Sequence, residues 1–142
     1  MRVFFDASVL IAALLSPNGG SALLLRFIKT GSIVGITSQT VIEEILEEDK
    51  PKKLNRSRGE IEEFIAQSGV VVREAVTLAE IEPYQQLIDR EDAHLIAGAN
   101  LTKCVYLVSL DKKHVLIEDV RTRFLPLTIV SPKELLEELL KE

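Results

Sequence analysis

Three aspartates and a glutamate carry the chemistry that this sequence offers. Asp6 ends the apolar run Val3-Phe4-Phe5, and Asp111 follows a second apolar run at residues 105–109. Both runs are built of β-formers without polar alternation, the pattern of strands buried on two faces. A carboxylate at the C-terminal end of such a strand sits where open α/β sheets place their ligands. Two of them on parallel strands face one crevice. Asp92 begins a helical segment and shares a face with Leu95, Ile96 and Ala99, so it points inward. An unpaired buried carboxylate costs several kcal/mol, and no lysine or arginine occupies that face. A bound cation is the economical partner. The fourth acid lies in a helix over about residues 38–48, whose buried stripe is Val41, Ile42, Ile45 and Leu46. Glu43 and Glu44 flank that stripe about equally, and helical geometry leaves both open.

Each acid also has a plainer reading. Asp6 and Asp92 fit helix caps or first-turn residues, Asp111 a turn residue ahead of Lys112, and either glutamate ordinary helix surface. Their joint placement favours a site. Competing motifs are absent: there is no Gly-rich phosphate loop, no Cys/His zinc spacing and no nucleophile elbow. His94 and His114 read as surface residues rather than ligands.

The elements that must position these acids alternate along the chain. After the first strand, a helix runs over Ala7–Leu15, and Ser16-Pro17-Asn18-Gly19-Gly20 is a loop by its turn residues. Residues 21–30 form a helix closed by Gly31, and residues 33–36 a short strand. Thr37 or Ser38 opens the next helix, in which Thr40 and Glu43 are also spaced like a capping box, and Lys50-Pro51 breaks it. Ser57 and Glu60 form another such box, opening a helix to about Gln67 that Gly69 ends. Val70-Val71-Val72 is a strand, residues 77–89 hold one or two short helical pieces around Pro83, and residues 91–101 are helical. Residues 105–109 form a strong strand, 114–124 a weak helix and 127–130 a last strand. Ser131-Pro132-Lys133-Glu134 begins the terminal helix with an N-cap, a first-turn proline and a box glutamate. Strands separated by helices favour a central parallel sheet with helices on both faces.

The 142 residues suit one α/β domain, residues 1–142, large enough for a sizeable core. Cys104 is the single cysteine and lies beside Val105, Tyr106, Leu107 and Val108, which reads as a buried, inert thiol in a cytoplasmic protein. No apolar run has the length of a membrane span, and the N-terminus enters a strand without a signal-peptide pattern. A net charge of −5 argues against broad coating of nucleic acid, yet the acids of a metal site themselves weigh on that total. Cations cluster locally at Lys50, Lys52, Lys53, Arg56 and Arg58. Arg26 with Lys29, Lys112 with Lys113, and Arg121 with Arg123 are smaller groups; each alone reads as a solvated face.

Taken in order, these segments resemble the PIN-domain family, the PilT N-terminus-like nucleases. Phe4-Phe5-Asp6-Ala7-Ser8-Val9-Leu10 is similar to the family's opening strand, which ends in Asp-Thr-Asn/Ser. Leu14-Leu15-Ser16-Pro17-Asn18-Gly19-Gly20 resembles the loop of its toxin-component subgroup. Ile36-Thr37-Ser38 through Glu44-Ile45 resembles a serine followed six residues later by a glutamate and an aliphatic residue, a register that selects Glu44. Asp92-Ala93-His94-Leu95-Ile96-Ala97-Gly98-Ala99 matches the Asp-Ala helix, and Leu107-Val108-Ser109-Leu110-Asp111 the strand ending in Thr/Ser-x-Asp. Ile129-Val130-Ser131-Pro132-Lys133-Glu134-Leu135 resembles the family's ending. The chain departs from the pattern at Ala7, where threonine is usual. It departs again at Lys112, Lys113 and His114, where many members carry another aspartate.

The resemblance implies an Mg²⁺- or Mn²⁺-dependent ribonuclease in which Asp6, Glu44, Asp92 and Asp111 are catalytic and bind one or two cations. All-oxygen ligands suit these hard ions. Ser8 and Ser109 would orient ligands or phosphate, and Lys112 and the Lys50, Lys52, Lys53, Arg56, Arg58 cluster would hold the RNA backbone. It further implies the toxin of a toxin–antitoxin pair (VapC-type), inhibited by a small antitoxin and commonly a homodimer or higher homo-oligomer. Two readings from other classes compete. One is a PIN-fold RNA-binding or scaffold protein without turnover. The other is a phosphoacceptor receiver domain, which wants an adjacent acid pair after its first strand, whereas only Asp6 stands there.

Overall fold

Five parallel strands form one sheet in the order β3-β2-β1-β4-β5 in a computed structural model that describes residues 1–141. The strands are β1 (Arg2–Phe5), β2 (Val34–Ser38), β3 (Val71–Arg73), β4 (Tyr106–Val108) and β5 (Thr128–Val130). Parallel pairing joins β1 to both β2 and β4, so the N-terminal strand is central. Val3, Phe4 and Phe5 are fully buried, as their unbroken apolar run requires. Successive side chains on β1 point to opposite faces. Phe4 meets Gly98 of α7 (Ala93–Leu101), where an added Cβ would lie 2.7 Å from the ring. Phe5 faces the other way, toward Gly35 and Ile28 of α2 (Gly20–Lys29). Helices therefore cover both faces, as the alternation of strand and helix predicts.

The helices begin as their caps dictate. Ser57 with Glu60 forms a complete capping box on α5 (Arg58–Ser68), and Ser131 with Glu134 does so on α9 (Pro132–Leu139). Gly31 and Gly69 take positive φ after α2 and α5, where an L side chain would be strained. Three expectations need correction. The Thr40–Glu43 box does not form on α3 (Gln39–Leu46): Ser38 is the N-cap, and the Thr40 hydroxyl accepts from the Val76 amide, 3.0 Å away. Pro51 does not merely break the chain but occupies the first turn of the short helix α4 (Lys50–Lys53). The weak helix over 114–124 contracts to α8 (Glu118–Arg123), because residues after Asp111 turn back on it. The Asp111 carbonyl accepts from the Val115 and Leu116 amides. Two short pieces, α6 (Leu78–Ile81) and the 3₁₀ turn Glu82–Tyr84, occupy the segment around Pro83. The first helix, α1 (Ala7–Leu15), leaves β1 through Asp6.

Candidate metal centre

Asp6 is fixed by its surroundings. Its amide donates to the Val108 carbonyl at 3.1 Å, which ties the end of β1 to β4. Its carboxylate is buried and its Oδ2 accepts from Ser109 Oγ at 2.6 Å and Ser8 Oγ at 3.1 Å. Those hydroxyls are held in turn: Ser109 Oγ accepts from the Asp111 amide and Ser8 Oγ from the Leu110 amide, each at 3.0 Å. The two serines thus couple the loop after β4 to the carboxylate after β1. Burial pushes the Asp6 carboxyl above its ordinary value, opposed by the serine hydroxyls and reinforced by the charge of Glu44.

Asp92 closes a 3₁₀ turn, Arg90–Asp92, at the head of α7 and is half-buried. It makes no capping hydrogen bond, and neither does the Asp6 side chain, so neither carboxylate is spent as a cap. Burial raises the Asp92 carboxyl to about 6, assisted by the charges of Asp6, Asp111 and Asp89, with His114 pulling the other way. Asp111 is partly a turn residue, as its plainer reading holds. Its Oδ1 accepts from the Lys113 and His114 amides at 3.0 Å each. Its Oδ2 stays free of backbone and lies 3.3 Å from His114 Nδ1. Asp92, Asp111 and His114 each offer a ligand atom, and the three atoms lie within 4.8 Å of one another.

The structure separates the two glutamates that the helical stripe leaves open. Glu43 is exposed, whereas Glu44 is partly buried and close enough for its charge to raise Asp6. Glu44 Oε1 lies 3.3 Å from Nε2 of His94. That contact lacks hydrogen-bond alignment, and both buried ring nitrogens of His94 have no hydrogen-bond partner among the described residues. The expectation of two surface histidines is therefore wrong in part. His94 is 7 % exposed, because residues 93–99 are buried on every side, and the unbroken apolar run Leu95-Ile96-Ala97-Gly98-Ala99 is the signal that points to it. His114 is exposed as expected, yet its ring turns toward the acids rather than away.

Among the described residues, no lysine or arginine forms an ion pair with Asp6, Glu44, Asp92 or Asp111. Four carboxylates at the carboxyl edge of a parallel sheet, countered only by histidines, fit a hard divalent cation. The lone cysteine, Cys104, is buried next to Thr102, 3.2 Å from its hydroxyl, and belongs to another part of the fold. The basic cluster forms no ion pair with these acids among the described residues. Arg56 donates to the Leu54 and Asn55 carbonyls and Arg58 to the Leu46 carbonyl, so both trim helix ends. Lys50, Lys52, Lys53 and Lys112 are exposed, and among the described residues none forms an ion pair.

This sheet and the acids at its carboxyl edge define an α/β protein with an acidic cluster whose donor atoms suit a divalent cation. The chain belongs to the PIN-domain family, a family of nucleases, whose profile (PIN domain) matches residues 2–113. The fold is also similar to a chain in the crystal structure of VapBC2 from Rickettsia felis bound to a DNA fragment from their promoter. That likeness has a TM-score of 0.60 at 13 % identity and covers 92 % of this chain and 97 % of the other. No curated protein sequence matches the chain significantly.

Proposed function

We propose that this protein is an Mg²⁺- or Mn²⁺-dependent endoribonuclease and the toxin of a toxin–antitoxin pair. The observation that carries the reading is the convergence of Asp6, Glu44, Asp92 and Asp111 without a basic counterion. Such a site is costly to the folded protein unless a cation offsets it. When bound, one or two divalent ions supply charge neutralisation, an activated water and orientation of the scissile phosphate.

The chain's own residues divide the remaining work. Ser8 and Ser109 hold the Asp6 carboxylate in one orientation, leaving Oδ1 for a ligand. Asp92, from the turn at the head of α7, and Asp111, from the loop after β4, present ligand atoms within 4.8 Å of each other. Glu44, with the buried His94 ring 3.3 Å away, brings its charge near Asp6 from α3. Ala7 offers no hydroxyl beside this set. The exposed Lys50, Lys52, Lys53 and Lys112, with Arg56 and Arg58, bind the RNA backbone by charge.

A cavity of about 340 Å³ contains none of the acids and is lined by Ala13, Leu14, Leu25 and Phe64, with Arg26 and Lys29 among its edges. It suits an antitoxin segment that pairs apolar with acidic side chains. The protein is cytoplasmic and homodimeric in this reading; no single described helix is long and apolar enough to cross a membrane. Cleavage of a mixed RNA pool in Mn²⁺, by wild type and by Asp92→Asn, tests the enzymatic part. Fragments from wild type alone are expected, and equal turnover by both would contradict the assignment.

A further inference from the structure

The loop after β4 brings to the site a side chain of a different chemical kind. His114 follows Asp111 by one turn, and its amide is fixed by Asp111 Oδ1 at 3.0 Å. The ring lies across Asp111 Oδ2, with Nδ1 3.3 Å away, and its Nε2 is 4.0 Å from Asp89 Oδ2. Donors that share one cation at about 2.1 Å lie roughly 3 Å apart when adjacent and about 4.2 Å apart when opposite. The 3.3 Å separation matches an adjacent pair, and the 4.8 Å limit spanning Asp92, Asp111 and His114 admits one ion between all three. The side chain of His114 is half-exposed, so turning its ring onto an ion costs little desolvation. Asp92, the third member, receives no hydrogen bond among the described residues and is free to serve as the opposing ligand.

We propose that His114 is a direct ligand of the divalent cation together with Asp92 and Asp111, and that this imidazole biases the site toward Mn²⁺ over Mg²⁺. The inference rests on the proposed metal centre and adds a nitrogen donor to it. Mg²⁺ prefers oxygen and holds its waters tightly, whereas imidazole suits the transition metals, whose affinities rise along the first row.

Mn²⁺ itself is the probe, read by electron paramagnetic resonance rather than by turnover. Wild type, His114→Ala and Asp92→Asn are titrated with Mn²⁺, and Mg²⁺ affinity is obtained by competition. Wild-type protein is expected to show ¹⁴N coupling from a directly bound imidazole. His114→Ala is expected to lose that coupling, and its preference for Mn²⁺ over Mg²⁺ should fall at least about tenfold. Binding that needs Asp92 but shows no ¹⁴N coupling would overturn the role of His114 and leave the carboxylate site standing. Coupling that survives in His114→Ala would assign the nitrogen to His94 and overturn it equally. If Mn²⁺ binds wild type no better than Asp92→Asn, the metal centre itself fails, and this inference with it.

Discussion

Asp6 and Asp92 are both aspartates at the head of a helix, both unused as caps, and both pushed toward protonation by burial. They differ in what holds them. Asp6 receives two serine hydroxyls, and each serine is pinned by a backbone amide of the β4 loop. Asp92 receives no hydrogen bond among the described residues; beyond its burial it feels the charges of Asp6, Asp111 and Asp89. One half of the proposed centre is thus preset by the chain's own hydrogen bonds, and the other is left open to a countercharge. Position can be built from the chain's own hydrogen bonds, whereas on the proposed function the countercharge comes from a bound cation.

The sharpest way to break this contrast is to neutralise the ligands. Asp6→Asn, Asp92→Asn and Asp111→Asn should each lower RNA cleavage by more than about a hundredfold in matched Mn²⁺, with circular dichroism unchanged. A variant that keeps near-wild-type turnover removes its residue from the centre. Ser109→Ala tests the preset half. Losing the 2.6 Å bond to Asp6 should weaken Mn²⁺ binding about tenfold to a hundredfold, as loss of a ligand's supporting partner does, while Ser8→Ala does less. Equal, negligible effects would mean that the fold alone orients Asp6.

Gly98→Ala probes how α7 carries Asp92 to the site. The new Cβ would meet the Phe4 ring at 2.7 Å, and overpacking of this kind costs about 1–3 kcal/mol. Urea melts should show that loss, with weaker Mn²⁺ binding beside it; an unchanged midpoint would mean the ring yields freely. The smallest expected effect belongs to the basic cluster. Replacing Lys52, Lys53 and Arg56 together should flatten the salt dependence of RNA affinity, by up to about 0.7 in slope for each phosphate that the variant leaves unneutralised. An unchanged slope would move the RNA path elsewhere, toward Arg121 and Arg123.

Much of this arrangement is legible in the sequence because it rests on local signals. The apolar runs before Asp6 and Asp111, the boxes at Ser57 and Ser131, and the glycines at positions 31 and 69 each specify one structure over a few residues. Strand order and the pairing of β1 with β4 depend on contacts a hundred residues apart, and only alternation and resemblance point to them. The choice of Glu44 over Glu43 is of this kind: the helix stripe treats them alike, and partial burial with its charge near Asp6 distinguishes Glu44. Thr40 misleads because a distant amide, that of Val76, competes for its hydroxyl and wins. The histidines escape a sequence reading for two different reasons. His94 lies in the stretch of α7, residues 93–99, that is buried throughout, and His114 is turned toward the acids by a loop whose path no periodicity encodes.

Thermal melts of wild type and Asp92→Asn, in chelator and in millimolar Mn²⁺, test the open half most directly. A carboxyl raised to about 6 in the folded protein from 3.8 binds its proton more tightly folded than unfolded. Its penalty is therefore absent below about pH 4, grows as pH rises, and is complete above about pH 6. In chelator at pH 7.5, Asp92→Asn should be more stable than wild type by about 1–2 kcal/mol, after discounting for solvent screening of a half-exposed group. That advantage should vanish by about pH 4. Mn²⁺ should raise the Tm of wild type by mass action and that of Asp92→Asn far less. A less stable Asp92→Asn in chelator, or an equal gain from Mn²⁺ in both proteins, would contradict an acid held in wait for a cation.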